Sequence, residues 1–232
     1  MPASVDSHSP SPRRRLYGRS RGKALRAGQE RLLEQALPRL TIAPEALAAG
    51  SLFPFEPREL WLEIGFGSGE HLIAQAKSNP GIGLIGCEPF LNGVAAALSG
   101  IEREKLMNVR IRRGDVQTLL EVAPEGLFSR VFMLYPDPWP KRRHHKRRVV
   151  SDPIVEALAR TLRPGGEFRF ATDIDDYAGW TLRRFLASPS FRWTAARADD
   201  WRTPWPEWRP TRYEAKARKA GRGSVYLNFV RL

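Results

Sequence analysis

Three glycines in the segment Leu62-Glu63-Ile64-Gly65-Phe66-Gly67-Ser68-Gly69-Glu70 stand directly after a strand-like run and directly before a helix-like one. Glycine there permits a tight turn and lets a ligand approach the backbone beside a helix N-terminus. A dinucleotide fingerprint would need a further glycine where Glu70 stands, and Glu63 puts a negative charge where a pyrophosphate would have to approach. S-adenosylmethionine carries an ammonium and a sulfonium and no phosphate, so a carboxylate complements it. The next strand-like run ends in Cys87-Glu88, about 20 residues on, where a carboxylate can accept both ribose hydroxyl protons. The third ends in Gly114-Asp115, placed to meet an adenine amino group. Each acid alone reads as a solvated strand end. Three of them at the carboxyl ends of three successive strands, with Gly65, Gly67 and Gly69 after the first, describe the crevice in which open α/β sheets bind ligands.

A second constellation follows the fourth strand. Tyr135-Pro136-Asp137-Pro138-Trp139-Pro140-Lys141 has three prolines in five residues, which leave Asp137 little conformational freedom. From Lys141 to Arg148 there are six Lys or Arg in eight residues: Lys141, Arg142, Arg143, Lys146, Arg147 and Arg148. A basic run is usually a solvated face. Fused to the strand end that should carry the acceptor site, this one reads as a polyanion contact able to engage several phosphates. The fifth strand adds Asp173 at Ala171-Thr172-Asp173, and Thr211-Arg212-Tyr213-Glu214 gathers hydroxyl, cation, aromatic and acid near the C-terminus.

The elements that must position these residues alternate. Apolar runs at 60–64, 82–87, 109–111, 131–135 and 168–171 read as strands, separated by helical patterns at 70–77, 90–107, 116–122 and 153–162. Such alternation predicts an α/β fold, a mostly parallel sheet with helices on both faces. A helix over 177–187 precedes strand candidates at 191–195 and 225–230, which would close the sheet with antiparallel pairing. Leu32, Leu33, Ala36, Leu37 and Leu40 share one helical face within 29–40. The stretch 197–210, with Trp201, Trp205 and Trp208 among prolines and charges, reads as an irregular crossing. Residues 1–27 are rich in Ser, Pro, Arg and Gly and read as a flexible basic arm, carrying Arg13, Arg14, Arg15, Arg19, Arg21, Lys23 and Arg26. Residues 28–232 then form one catalytic domain.

Length and charge agree with this division. The 232 residues suffice for one sizeable core, and 38 Lys and Arg against 25 Asp and Glu give a net charge of +13. That balance points to a polyanionic partner, with nucleic acid ahead of an anionic membrane. The single Cys87 excludes an intramolecular disulfide and a multi-cysteine zinc cluster, and the four His lack metal-ligand spacing, so no metal is expected. No apolar run approaches the ~20 residues that span a bilayer, and the N-terminus has no signal-peptide pattern, so a reducing cytoplasm is expected. Nothing in the sequence sets an oligomeric state.

Taken in order, EIGFGSG, CEP, RGD before Val116, PDPWPK with its RRHHKRR tail, ATD and TRYEAK resemble the successive motifs of the bacterial tRNA (guanine-N7)-methyltransferase family. The resemblance runs from about Leu16 to the C-terminus, and PDPWPK followed by basic residues is its most specific part. Tyr135 stands where Phe is more usual. The resemblance implies a Rossmann-like methyltransferase that uses S-adenosylmethionine to methylate guanosine 46 in the variable loop of tRNA. It assigns Glu63, Glu88, Asp115 and Asp137 to cofactor contact, with Asp137 also the active-site residue. Lys141, Asp173, Thr211, Arg212, Tyr213 and Glu214 fall at substrate-contact positions, and the basic run at the RNA contact. A methyltransferase for another RNA and an RNA-binding module on a degenerate methyltransferase fold are the competing readings. The intact cofactor acids weigh against degeneration.

Overall fold

The computed structural model describes residues 17–18, 20–50 and 52–232. Seven strands form one sheet in the order β3-β2-β1-β4-β5-β7-β6: β1 Glu59–Ile64, β2 Ile82–Cys87, β3 Val109–Arg112, β4 Phe128–Leu134, β5 Leu162–Thr172, β6 Phe191–Trp193 and β7 Val225–Arg231. β1 through β5 pair in parallel, while β7 runs antiparallel to both β5 and β6. β2 is buried along its whole length, as its unbroken apolar sequence requires of a central parallel strand.

Side-chain alternation divides the core. Leu62, Ile64, Val131, Met133, Phe168 and Phe170 pack with α5 Val116–Val122, α6 Asp152–Thr161 and α7 Asp175–Ala187. Trp61, Leu84, Phe132, Leu134 and Ala171 pack on the opposite face with α1 Ala27–Gln35, α2 Leu37–Leu40, α3 Glu70–Ser78 and α4 Leu91–Arg103. Two short helices, α8 Asp199–Arg202 and α9 Arg212–Lys219, lie in the connection between β6 and β7.

Where boundaries differ from expectation, a local cause is visible. The helix expected over 29–40 breaks at Ala36, because Pro38 enters the next turn without an N–H to continue the ladder. α4 stops at Arg103 rather than near Met107, with the chain reversing through Lys105 at φ 52°. β5 starts six residues before the expected Phe168, beyond a register shift between Phe128 and Arg130 of β4. α9 escaped the sequence reading, although Thr211 and Glu214 have capping spacing: Thr211 Oγ1 accepts the Glu214 N–H at 3.2 Å. Arg13, Arg14, Arg15 and Arg19 lie outside the described residues. The described part of the arm is tied down. Ser20 O accepts the Leu91 N–H at 3.0 Å, and Asn92 exchanges hydrogen bonds with Gly22 N and Lys23 O.

The connectivity reverses direction between β1 and its neighbours β2 and β4. Such a switch point leaves a crevice beyond the carboxyl ends of the strands.

Candidate active site

A cavity of about 630 Å³ occupies that crevice. Its floor is Ile64, Gly65 and Gly67 from the end of β1, and one wall is Cys87 to Phe90 from the end of β2. Gly114 and Asp115 follow β3, while Met133 to Asp137 and Trp139 continue β4. Gly65 and Gly67 have φ of 73° and 57°, backbone that favours glycine, and a Cβ on Gly65 would stand in open space. Gly69, at φ 81°, serves differently: a Cβ there would meet Ala97 Cβ at 2.7 Å, so this glycine lets α3 close onto α4 and is not part of the cavity lining.

Glu88 is 7% exposed and braces the loop it faces. Its Oε2 accepts the Gly67 N–H and its Oε1 the Phe90 N–H, both at 2.8 Å. Burial lifts its pKa above the usual carboxylate value; the two N–H groups oppose the rise, and the charges of Asp137 and Glu63 add to it. Asp115 caps α5 by accepting the Gln117 N–H at 3.0 Å while lining the cavity. Asp137 is exposed at the rim.

Glu63, expected at the ligand, is buried beside the cavity and does not line it. Alternation along β1 turns its side chain to the Trp61 face, where Oε2 is 2.8 Å from His71 Nδ1 beneath α3, with both side chains buried. The chain of contacts continues outward, from His71 to Gln75 at 3.3 Å and from Gln75 Nε2 to Glu207 O at 3.2 Å. Counting residues back from a glycine loop locates Glu63 along the strand but not on a face.

The loop after β4 leaves the strand through Tyr135 at φ 49° and re-enters regular structure after Trp139 at φ 44°. Two non-glycine residues in left-handed backbone around one short loop are held there by their surroundings. The Tyr135 N–H donates to Ala171 O at 2.7 Å, and its hydroxyl lies 2.8 Å from Ser224 Oγ. Beyond the loop, Arg142–Arg147 forms a 3-10 turn. Lys141, Arg142, Arg143 and Lys146 are exposed on it. Arg147 turns inward, its guanidinium 4.9 Å from the Trp139 ring and 5.2 Å from that of Tyr17.

Arg148 departs from the phosphate-contact expectation. At 1% exposure its guanidinium donates to Pro138 O at 2.8 Å and to Asp176, and lies over the rings of Tyr177 and Trp180. A buried cation so engaged anchors the loop rather than meeting solvent. Its last place in a run of like residues concealed this.

The C-terminal segment is also divided. Arg212 and Tyr213 line the cavity opposite Gly67, and the Tyr213 ring lies 19° from parallel with that of Tyr135 at 6.4 Å. Thr211 and Glu214 are buried behind them. The Glu214 carboxylate accepts from Trp208 Nε1 at 2.8 Å, from Tyr226 OH at 3.2 Å and from Arg218, so it fixes the tryptophan-rich crossing and the start of α9 instead of facing the cavity. Asp173 accepts from Arg222 at 2.7 Å. Tyr17, Gly18 and Arg147 were not foreseen as cavity walls. No periodicity or motif in the arm points to that role.

A glycine turn, two strand-end acids and a backbone left open at Gly65 fit an adenosyl ligand without phosphates. With the sheet order, they define a Rossmann-like S-adenosylmethionine-dependent methyltransferase. The fold recurs in the antibiotic-resistance methyltransferase Kmr, with a TM-score of 0.53 and 18% identity over 83% of this chain and 95% of that one. Residues 57–227 match a family described as "Putative methyltransferase". The tRNA (guanine-N(7)-)-methyltransferase of Azorhizobium caulinodans is 54% identical over 94% of this chain and 95% of its own. That of Rhodopseudomonas palustris is 50% identical over 94% of this chain and 83% of its own. The chain belongs to the tRNA (guanine-N(7)-)-methyltransferase family. Among the described residues no helix is long and apolar enough to cross a membrane, and no cluster could hold a metal ion.

Proposed function

We propose that the chain transfers a methyl group from S-adenosylmethionine to N7 of guanosine 46 in the variable loop of tRNA. The observation that carries the reading is the continuity of one surface. The cavity with Glu88 and Asp115 runs through the rim residue Asp137 into the exposed cations of the 142–147 turn. The similarity to tRNA-modifying relatives supports the substrate, and the PDPWPK and TRYEAK motifs support the position.

Glu88, Asp115 and the Gly65 to Gly67 backbone would hold the cofactor, and Asp137 stands where cofactor and base meet. When bound, S-adenosylmethionine supplies a methyl group on a sulfonium, and the sulfur keeps the electron pair of the bond that breaks. Neutral guanine N7 offers a lone pair and carries no proton, so the protein needs no general base to create the nucleophile. Its work is orientation and charge: the purine must be held in line, and the positive charge arriving on the ring must be met by carboxylate. Asp137 answers to both. A carboxylate can accept from guanine N1–H and the exocyclic amino group, a pattern adenine does not offer, while Tyr213 and Tyr135 present ring faces for stacking. Lys141, Arg142, Arg143 and Lys146 meet phosphates. Asp173 with Arg222, and Thr211 with Glu214, hold the edge that presents Arg212 and Tyr213.

The test is incubation with labelled cofactor and unmodified tRNA, followed by nucleoside analysis. N7-methylguanosine is expected, lost when position 46 is replaced by adenosine. Label elsewhere would make the chain a methyltransferase for a different RNA site.

A further inference from the structure

The rings of Tyr135 and Tyr213 both line the cavity, 19° from parallel and 6.4 Å apart, and Tyr213 is 41% exposed. That spacing is at the wide end of the ~4.5 to 7 Å range of aromatic pairs, so attraction between the two rings is too weak to fix their faces. Both are held from β7 instead. Tyr135 leaves β4 with its N–H on Ala171 O at 2.7 Å, and its hydroxyl lies 2.8 Å from Oγ of Ser224, the residue directly before β7. Two residues further on, Tyr226 donates its hydroxyl to Glu214 Oε1 at 3.2 Å, and Glu214 is the buried neighbour of Tyr213 in α9. Burial raises the pKa of both phenols, and at Tyr226 the Glu214 charge adds to the rise, so each keeps the proton that lets it donate. The support is itself fixed by the sheet. Ala171 pairs with Tyr226 and Thr172 with Val225, and Asp173 accepts from Arg222 at 2.7 Å on the approach to Ser224.

We propose that Ser224 is a positioning residue for methyl transfer: its hydrogen bond to Tyr135 sets the face that this ring turns to the acceptor purine. Tyr226 does the same for Tyr213 through Glu214, so β7 is the common support of both rings. This rests on the reading that a guanine enters the cavity beside Tyr135 and Tyr213. Ser224 does not line the cavity, and it acts through Tyr135. In-line transfer tolerates little error in the orientation of the purine, so a Tyr135 ring freed from Ser224 slows turnover. The affinity of tRNA comes largely from phosphate contacts elsewhere on the surface, and the same change leaves it nearly intact.

The test compares the full-length wild type with Ser224→Ala, Tyr135→Phe and the double variant. Each substitution removes one hydroxyl and keeps the ring, and assays run at a temperature where circular dichroism shows every variant folded. Turnover number and KM are measured with unmodified tRNA at saturating S-adenosylmethionine, and S-adenosylhomocysteine affinity is measured by calorimetry. Each single variant should turn over about fivefold more slowly, the rate equivalent of one neutral hydrogen bond, with KM for tRNA and S-adenosylhomocysteine affinity close to wild type. The double variant should be no slower than either single one, because both changes remove the same bond. Wild-type turnover in either single variant, a loss confined to KM, or losses that multiply in the double variant would overturn the inference. Turnover that falls in step with S-adenosylhomocysteine affinity would do so too, making the bond a support of the cavity as a whole. A wild-type chain that labels no guanine in tRNA would overturn the reading of the acceptor itself, an outcome distinct from the others.

Discussion

Two glutamates at the ends of neighbouring strands show how burial and direction separate residues of one type. Glu88 faces the cavity, and its pKa lies above that of a free carboxylate because burial disfavours its charge. The native state therefore holds the proton to higher pH than the unfolded chain. The contribution of Glu88 to stability falls as pH rises through the raised value, while its attraction for a cationic ligand falls as pH drops through it. Cofactor affinity should accordingly decline on acidification before ordinary carboxylates titrate, and calorimetry at a series of pH values should find this decline absent in Glu88→Gln. In Glu88→Ala the loss at neutral pH should be about 1.5 to 3 kcal/mol, the value of hydrogen bonds to a charged group. Glu63 behaves oppositely. Facing His71 beneath α3, it should lower the melting temperature when changed to Gln, at a cost of about 1 to 3 kcal/mol, with cofactor affinity nearly unchanged. A large affinity loss at an unaltered melting temperature would return it to the ligand set. Asp137, exposed on its proline-rich loop, should lose about a hundredfold in methyl transfer as Asn with little change in melting temperature.

The basic segment from Lys141 to Arg148 is one run in sequence and three environments in structure. Its first cations face solvent, Arg147 lies between aromatic rings, and Arg148 is buried against Pro138, Asp176 and two rings. Neutralising Arg142 and Arg143 should flatten the dependence of log tRNA affinity on log salt by about 0.7 to 0.9 units per lost phosphate contact. Cofactor binding should be untouched. Arg148→Ala should act through folding instead, costing about 1.5 to 3 kcal/mol of stability, and Arg148→Lys should not restore it, since one ammonium cannot span both acceptors and lie over both rings. Denaturation curves and salt series on the same variants separate these outcomes. This division was illegible in sequence because the eight residues share one composition, and only the turn geometry distributes them. Elements with a hydrophobic period were legible to within a few residues, as β2 and α5 show. α9 was not: among Arg212–Lys219 only Glu214 and Ala217 are buried, too few to make a periodic face.

At the scale of the whole molecule, the alternation of strands and helices with acids at strand ends was enough to predict the parallel sheet and the crevice. What alternation does not carry is contact between distant segments, and the site depends on several. Asn92 grips the arm across 70 residues of chain, Tyr213 stands over Gly67, and the tryptophan-rich crossing reaches Gln75 through Glu207 and Glu214 through Trp208. These join the N-terminal arm, the glycine loop and α9 around one cavity. Transfer to N7 can be tested directly at the acceptor atom. The most direct measurement uses a tRNA whose guanine at position 46 is replaced by 7-deazaguanine, which keeps the Watson–Crick edge and replaces N7 by a C–H. Binding close to that of the unmodified guanine, with methyl transfer abolished, is the predicted result. Transfer of label to the 7-deazaguanine residue, or undiminished labelling at another nucleotide of that tRNA, would contradict the account.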